Sequence, residues 1–340
     1  MLAEKARLVL AIVVVGILVF SSLSSLLPNQ RWTVVSTIST ARADSTQTAP
    51  RNQVLDPAVK YLYKNYDESI GLNYVSPDTE ELKNTYYIYS DNYLASLVLW
   101  NYDQSNLTLA RRAGNITNQM HHYLNGTVNP INQYMALTES VFAFSNSKNF
   151  DLSAVDGAAI KTTINNQNGS LDPWNYADIA FLQAVYYHEL GRENYAMAVY
   201  HDGVNLYDGK GFKDLPFLKD NSSNYQTYKL ALYIYASKLL GQDYFQQAFD
   251  TLLAMQQHTS TRTNGGFNTS YNSTSLKATG YTNTETTSLA VLSLILQSPS
   301  SNSPMTWGQE LTYILLVAGA LSAALILVGV CLKIVRRRRV

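Results

Sequence analysis

The sequence contains a single cysteine, Cys331, among its 340 residues. Because Cys331 lies in an apolar run near the C-terminus, the rest of the chain cannot form a disulfide and must depend on its hydrophobic core. The chain has no net charge, since its 25 basic residues balance its 25 acidic ones. It lacks the excess positive charge that attracts nucleic acid, and we therefore expect no nucleic-acid partner.

Signatures of several well-known sites are also absent. The 5 histidines show neither an HExxH pattern nor paired ligand spacing, and no G-x-S-x-G pattern indicates a serine hydrolase. A glycine-rich stretch at 203–211 does not match a phosphate-binding P-loop. Asp202, Asp208 and Asp214 lack the spacing of a calcium-binding EF-hand and predict a solvated loop. We expect neither a metal ion nor a cofactor.

An uncharged apolar run is present at residues 311–332, and it is followed by Lys333 and the arginines at 336–339. A helix of about 20 apolar residues spans the hydrocarbon core of a membrane. Basic clusters beside such a helix stay on the cytoplasmic side. The pattern predicts a transmembrane helix at 311–332 and a basic cytoplasmic tail at 333–340, in contact with the lipid bilayer.

A second apolar run, at residues 8–27, follows the basic residues Lys5 and Arg7. This arrangement fits an uncleaved membrane anchor, and it also fits a signal peptide. A small-x-small pattern at 41–43 resembles a cleavage site, although it lies far beyond the apolar run. Residues 1–27 are therefore a signal peptide or an N-terminal membrane anchor, and both alternatives stay open.

Composition divides the chain between the two apolar runs into three parts. Residues 28–55 are rich in Ser and Thr with little periodicity, and they predict a disordered stalk. Residues 297–310 form a short Ser/Pro linker, and residues 56–296 are long enough for one large domain. We expect this domain to be extracellular and to be held at the cell membrane.

Sequons of the form Asn-x-Ser/Thr support an extracellular location, because they are the acceptors of N-glycosylation in exported proteins. The candidate glycosylation sites are Asn106, Asn115, Asn125, Asn168, Asn221, Asn268 and Asn272. The sequons, the 25 tyrosines and the scarcity of cysteine are typical of archaeal surface proteins. We therefore expect a glycoprotein of the cell surface.

Apolar residues recur every three or four positions in several windows, which indicates α-helices. A β-sandwich would show short alternating strands instead. The helical windows lack internal proline and end near glycine or serine. They span residues 93–100, 107–124, 136–144, 177–190, 195–207, 228–240, 244–258 and 286–296. The domain is predicted to be all-α.

Five of these helices open with similar polar and aromatic residues. The openings lie about 40 to 60 residues apart, and another amphipathic helix fits between most of them. They start near Ser90, Asn132, Trp174, Asn224 and Tyr281. Helix pairs that repeat at this period form either a solenoid or a closed ring.

Two short motifs resemble the inner helices of a known ring architecture, the α/α toroid. These motifs are GGF at 265–267 and TETTSLA at 284–290. With the alternating helices, they make residues 56–296 similar to six-hairpin glycosidases and terpenoid cyclases, although the Asp-rich motif of the cyclases is absent. The resemblance implies an α/α toroid of about five to six helical hairpins. Transmembrane helices at the N- and C-terminal ends would flank it.

In such toroids the N-terminal ends of the inner helices line one open face, where substrates bind. The resemblance therefore makes three acidic residues candidate catalytic groups, namely Asp91, Asp178 and Glu285. Candidate substrate-binding residues at the same face are Asn92, Tyr93, Trp174, Tyr176, Tyr225, Gln226 and Tyr281. Glycoside hydrolysis requires paired carboxyl groups and aromatic rings that stack on sugars. We expect a membrane-anchored, glycosidase-like domain that binds or hydrolyses glycans.

A different interpretation of the same carboxylates stays open. Asp91 and Asp178 lie where N-caps and first-turn acids stabilise helices, and Thr282-x-x-Glu285 has the form of a capping box. The domain would then be a non-catalytic cell-surface or envelope protein, or an accessory subunit of a membrane complex. In either role it would present a binding face to a protein partner.

Overall fold

The structure, a computed structural model, describes residues 51–77, 86–124, 132–138, 145–155, 158–170, 172–217, 224–259 and 261–296. In these ranges it contains eight α-helices, which we number α1 Asp56–Lys64, α2 Tyr89–Tyr102, α3 Leu107–Leu124, α4 Ala177–Glu189, α5 Glu193–Val204, α6 Thr227–Leu239, α7 Gln246–Ala254 and α8 Thr284–Ile295. A π-helical turn at Arg51–Leu55 precedes α1, and 3-10 helices lie at Gln133–Leu137 and Leu215–Phe217.

Strands also occur in these ranges, and they form three small sheets with the orders β1-β2, β3-β5-β4 and β6-β7-β8. Their bounds are β1 Tyr66–Asp67, β2 Leu72–Asn73, β3 Tyr86–Ile88, β4 Ser145–Val155, β5 Ala158–Ser170, β6 Asn224–Gln226, β7 Asn268–Asn272 and β8 Ala278–Thr282. β3 pairs with β5 in parallel, and the remaining pairs are antiparallel. The predicted helical majority is confirmed, but the all-α prediction missed these sheets.

Four helices are buried on nearly all sides. α2 has an unbroken run of buried residues from Asp91 to Leu99, and α4, α6 and α8 are buried in the same way. A helix without a polar face must be enclosed by other elements. The outer helices α1, α3 and α7 are amphipathic and bury only one side.

The buried helices contact one another in a cycle. α2 contacts α8, α8 contacts α6, and α6 contacts α4. The 3-10 helix Gln133–Leu137 contacts both α4 and α2 and completes the cycle. Outside this cycle, α3 packs on α2, α5 on α4 and α7 on α6, while α1 packs on α8 and α2. The short connections within α2–α3, α4–α5 and α6–α7 make each pair a helical hairpin.

The core of this arrangement is rich in tyrosine. The largest side chains without solvent exposure include Tyr61, Tyr87, Tyr134, Tyr233 and Tyr271. Each aromatic side chain buries a large apolar area, so a core of this kind can support a domain that has no disulfide. A hydroxyl group inside a core needs a partner, and the Tyr87 hydroxyl donates to Asp67 Oδ2 at 2.6 Å.

The GGF stretch joins the first helix to the last one. Gly265 has a φ of +90°, and a Cβ there would lie 2.0 Å from the carbonyl oxygen of Pro57 in α1. A Cβ at Gly266 would lie 2.6 Å from a ring carbon of α1. Phe267 is buried, and its backbone N–H donates to Thr287 Oγ1 in α8 at 2.9 Å. Glycine is therefore required where the chain passes against α1.

One predicted boundary, the end of the stalk, can be compared with the structure. The stalk was predicted to extend to residue 55, but Arg51–Leu55 is an ordered π-helical turn, and the Gln256 side-chain amide donates to the Val54 carbonyl at 2.7 Å. The prediction was wrong over these residues, because a side chain distant in sequence holds them. Within the described ranges, no helix is both long and apolar enough to cross a membrane. The predicted spans at 8–27 and 311–332, the 297–310 linker and the 333–340 tail lie outside those ranges.

The sequons lie in different environments. Asn106 and Asn115 are exposed, Asn272 is half-buried, Asn168 lies in β5, and Asn125 and Asn221 are outside the described residues. Asn268 is buried, and its side chain accepts from Gln257 Nε2 at 2.5 Å and donates to the Gly280 carbonyl at 3.2 Å. A glycan on Asn268 is incompatible with these contacts. The predicted glycosylation of Asn268 is therefore wrong for the folded domain.

Gly265→Ala should lower the free energy of unfolding by about 2 to 4 kcal/mol, because the methyl group would meet the Pro57 backbone at a strained positive φ. Gly241→Ala is the matched control, since Gly241 has a φ of +63° and an open space around the added Cβ. It should lose only about 1 kcal/mol. Urea unfolding of the full-length protein, followed by circular dichroism, measures both losses. Equal losses would show that the contact with Pro57 contributes nothing.

Candidate functional site

The five elements of the cycle each contribute one first-turn side chain to a common cluster. Asp91 is the third residue of α2, and the second residues of the other four elements are Tyr134, Asp178, Tyr228 and Glu285. We call these five residues the acid–tyrosine cluster. The structure thus brings all three predicted catalytic carboxyl groups to one place, and it adds two tyrosines that were not predicted.

Hydrogen bonds pair each tyrosine of the cluster with one carboxylate. The Tyr134 hydroxyl donates to Glu285 Oε1 at 2.5 Å, and the Tyr228 hydroxyl donates to Asp178 Oδ2 at 3.1 Å. Asp178 Oδ1 has no hydrogen-bond partner among the described residues. Asp91 and Tyr134 are buried, whereas Asp178, Tyr228 and Glu285 are half-buried. Part of each of the last three side chains is therefore accessible to solvent.

The environment of the Asp91 carboxyl favours its neutral form. Its side chain is only 3% exposed, and this burial raises its pKa well above the ordinary value. The negative charge of Glu285 raises the pKa further, and a weak hydrogen bond from Ser90 opposes both effects. A carboxyl group whose pKa is raised by burial and a neighbouring carboxylate is a typical general acid.

The other two carboxyl groups have raised pKa values as well, but each has compensating partners. Burial raises the pKa of Glu285, and the charge of Asp178 adds to this, while the Tyr134 hydrogen bond lowers it. Burial also raises the pKa of Asp178, but the positive charge of Lys229 lowers it. Carboxyl groups with different partners can hold different protonation states at one pH.

A backbone segment at 73–75 aligns the start of α2 with the start of α8. The Asn92 side chain accepts from the Asn73 N–H at 2.6 Å and donates to the Asn73 carbonyl at 2.9 Å. On the other side, the Thr284 N–H donates to the Val75 carbonyl at 2.9 Å. Asn92 has no solvent exposure. Its predicted role in substrate binding is wrong, because its amide is used to position α2.

A buried ion pair connects the start of α4 with the start of α6. Asp214 accepts from the backbone N–H of Ala177 at 3.0 Å through Oδ1, and Lys229 Nζ donates to its Oδ2. Both charged side chains are nearly inaccessible to solvent. The prediction that Asp214 lies in a solvated loop was wrong, because this carboxylate pairs with a lysine that follows it in α6.

The capping interpretation is wrong about the N-cap residues themselves. The N-cap residues of α2 and α4 are Ile88 and Tyr176, and neither start has a side-chain cap. At α8 the cap is Asn283, whose side chain accepts from the Thr286 N–H at 2.8 Å. The predicted capping box with Thr282 is therefore wrong. None of the three acids is an N-cap residue, but each lies in the first turn of its helix, where its negative charge is favourable to the helix dipole.

The remaining predicted binding residues separate into two groups. Tyr93 is buried and its hydroxyl bonds to Thr138, while Tyr225 is buried and its hydroxyl bonds to Asp208. These two positions serve packing, and their predicted contact with a substrate is wrong. The second group is accessible: Trp174 is 56% exposed, Gln226 is exposed, and Tyr176 and Tyr281 are half-buried. Tyr281 also interacts electrostatically with Asp91 and Glu285, which places it beside the cluster.

The tyrosines of the cluster carried a signal that sequence reasoning missed. Tyr134 and Tyr228 each lie two residues after an N-cap residue, the same position that Asp178 and Glu285 occupy. Aligning the openings on their caps, rather than on their aromatic residues, would have found them. Lys229 and Asp214 left no comparable signal, because their pairing depends on the tertiary structure.

A cavity lies near the opposite ends of the same buried helices. Its volume is about 300 Å³ with open solvent included, and its lining is mostly apolar. The lining residues are Leu97, Asn101, Leu137, Thr138, Tyr235, Leu292, Ile295 and Leu296. The described residues that line it include no carboxylate. Among the described residues, no group of three or more acidic, histidine or cysteine side chains is suited to hold a metal ion.

Comparisons with known proteins identify no relative of this chain: no protein-family model matches it, and neither a curated protein nor a solved structure is significantly similar to it. Its function is therefore argued from the chemistry of the cluster.

The pH dependence of stability should reveal the burial of Asp91. Because the folded state raises the pKa of Asp91, its contribution to stability is complete below the unfolded pKa of about 3.9 and is lost as pH rises toward the folded pKa. Asp91→Asn removes this loss. Urea unfolding between pH 4 and pH 8 should show the variant gaining stability over the wild type as pH rises. Asp250→Asn, on the exposed side of α7, is the control; a pH-independent difference for Asp91→Asn would contradict the assignment.

The hydrogen bond between Tyr134 and Glu285 should stabilise the ionised carboxylate. Tyr134→Phe removes the hydroxyl, and its loss should approach about 1.5 to 3 kcal/mol once Glu285 is ionised. Since this bond lowers the pKa of Glu285, the loss should grow as pH rises. Tyr123→Phe is the control, because the Tyr123 hydroxyl donates to the neutral carbonyl of Ile70 at 3.0 Å. Equal pH dependence of the two losses in urea unfolding would count against a charged partner for Tyr134.

Proposed function

We propose that residues 56–296 form an α/α toroid that hydrolyses glycans by acid–base catalysis. The fold part of this proposal is supported by the alternation of buried and outer helices, by the cycle of contacts, and by the pairing of the first helix with the last. A 3-10 helix takes one inner position, and the β4–β5 hairpin follows it where an outer helix would lie. The count of hairpins is thus close to the five or six that the resemblance implies.

The convergence of three carboxyl groups from separate helices carries the functional proposal. Burying acidic groups beside one another is unfavourable, and folded proteins retain such arrangements mainly at functional sites. Hydrolysis of a glycosidic bond uses two carboxyl groups, one to protonate the leaving oxygen and one to activate water or attack the sugar. Asp91, Asp178 and Glu285 supply neutral and ionisable carboxyls within one cluster.

The accessible aromatic side chains near the cluster support a sugar as the substrate. Trp174 lies in the turn that immediately precedes α4 and exposes more than half of its surface. The pKa of Tyr281 is raised by burial first and then by the charges of Asp91 and Glu285, so it lies within electrostatic range of both. Aromatic faces pack on the apolar faces of sugar rings, while hydroxyl groups such as that of Tyr228 bind sugar hydroxyls. Gln226, exposed at the start of α6, adds a further polar contact for a bound glycan.

The location that we propose follows from the ends of the chain. A transmembrane helix at 311–332 would hold the domain outside the cell, close to the lipid bilayer, with the arginines at 336–339 in the cytoplasm. An enzyme in this position would act on glycans of the cell surface or its surroundings. The alternative is a non-catalytic surface protein or accessory subunit that uses the same face to bind a protein.

Purified full-length protein in detergent should release reducing ends from a panel of polysaccharides and glycoprotein glycans. Asp91→Asn, Asp178→Asn and Glu285→Gln should each lower kcat by about 100-fold or more, because each removes a carboxyl group on which the acid–base chemistry of the cluster depends. Asp250→Asn, on the exposed face of α7, should retain full activity. Circular dichroism verifies that the variants fold.

Two outcomes would contradict the proposed hydrolysis. In the first, the wild type binds a glycan but does not cleave it, which would make the domain a glycan-binding module. In the second, no glycan is bound or cleaved, and crosslinking in intact membranes recovers a stoichiometric protein partner at this face. The second outcome would favour the accessory-subunit alternative.

A further inference from the structure

The charged and titratable groups that face Asp91 differ from those that face Asp178. Asp91 interacts electrostatically with Glu285 and Tyr281. None of the described groups that interact with Asp91 is a cation. Asp178 is faced by the cation of Lys229 and by Asp214, Tyr228, Tyr134 and Glu285. Among the described residues, a positive charge therefore acts on Asp178 but not on Asp91.

Lys229 is held rigidly next to the cluster. Its side chain is buried, and its ammonium group forms an ion pair with the equally buried Asp214. Asp214 also accepts from the backbone N–H of Ala177, the residue that precedes Asp178. One carboxylate thus fixes both the lysine and the backbone beside Asp178. In a buried environment the field of a fixed charge is screened much less than in water.

The position of Lys229 in the sequence strengthens this connection. Lys229 directly follows Tyr228, whose hydroxyl donates to Asp178 Oδ2. The start of α6 therefore presents a hydrogen-bond donor and a positive charge to the same carboxyl group. Both interactions favour the ionised form of a carboxylate. The start of α2 offers Asp91 only the weak bond from Ser90 at 3.4 Å.

We propose that Lys229 is a positioning residue that keeps Asp178 ionised, which makes Asp178 the base and Asp91 the proton donor of the reaction. This assignment rests on the proposed glycan hydrolysis. Glu285 interacts electrostatically with both aspartates. The hydrogen bond from the Tyr134 hydroxyl holds its carboxylate in place. Its role is to keep Asp91 protonated.

The resulting reaction is balanced in atoms and electrons. The Asp91 carboxyl gives its proton to the glycosidic oxygen while the bond between that oxygen and the anomeric carbon breaks, and the bonding electrons leave with the oxygen. A water molecule forms the new bond to the anomeric carbon, and Asp178 accepts a proton from that water. Asp91 then ends as a carboxylate and Asp178 as an acid. Proton exchange with solvent restores both groups.

The test removes both buried charges of the ion pair in the full-length protein. The double variant Lys229→Met/Asp214→Asn removes both charges together, so that neither buried charge is left without its partner. Because Lys229 acts on Asp178 more strongly than Asp214 does, Asp178 should protonate at higher pH in this variant. The acidic limb of the kcat/KM profile should therefore move to higher pH, while the alkaline limb, set by Asp91, stays in place. A coincident shift of both limbs, or no shift, would overturn the proposal.

Two further variants separate the charge of Lys229 from its packing. Lys229→Arg retains the charge and should return the acidic limb toward its wild-type position, which a purely structural role for the lysine stem does not predict. Lys238→Met removes another buried lysine of α6, whose ammonium group donates to the Ser293 carbonyl at 2.8 Å near the far end of α8. It should leave both limbs unchanged, and a shift like that of the double variant would refute a specific role for Lys229.

An infrared titration of protein with carbon-13-labelled aspartate provides a readout without activity. Difference spectra against Asp91→Asn and Asp178→Asn assign the two bands. At pH 7 the wild type should show Asp91 protonated and Asp178 ionised; either opposite state would overturn the assignment, even if the double variant does not fold. A shifted Asp178 titration in a protein without hydrolytic activity would reject the proposed function but retain the control of Asp178 by Lys229.

Discussion

The first-turn amide groups of the buried helices need hydrogen-bond acceptors within the packed domain, and this constraint shapes the whole site. A helix leaves its first N–H groups without partners inside the helix. Here the partners come from neighbouring segments: Asp214 binds the start of α4, and the Val75 carbonyl binds the start of α8. Each contact that satisfies an amide also ties two elements of the cycle together. The positions of the acids are consequences of these ties.

Bringing several helix starts together has an electrostatic effect that bears on the acids. The N-terminal end of a helix carries partial positive charge, and first-turn carboxylates are stabilised there. This attraction offsets part of the repulsion between Asp178 and Glu285, but burial still dominates and the pKa values of both remain raised. The cluster is thus a region where ionised carboxyl groups are energetically unfavourable. Such regions in folded proteins are more often functional than structural.

The sequence predicted the main helices well, and it indicated three acids that the fold brings into one cluster, because both depend on local pattern. Helical periodicity located α2, α4, α6 and α8 within a few residues, and the repeated openings located Asp91, Asp178 and Glu285. Asn92 was misassigned because it adjoins Asp91 in sequence, although successive helical residues point about 100° apart. The β4 and β5 strands were missed, since their residues are mostly polar and show no apolar alternation.

The remaining parts of the site could not be predicted, because they depend on contacts between distant segments. The ion pair between Asp214 and Lys229 is visible only when the segment before the 3-10 helix Leu215–Phe217 is packed against α6. The sequon at Asn268 also depends on tertiary structure, because its side chain is buried by contacts that form only when the chain folds. An oligosaccharide attached to Asn268 before β7 and β8 pair would prevent that pairing, because the amide is needed by Gln257 and Gly280. Assembly of this sheet and modification of this residue are mutually exclusive events, and whichever occurs first during biogenesis decides the fate of the molecule.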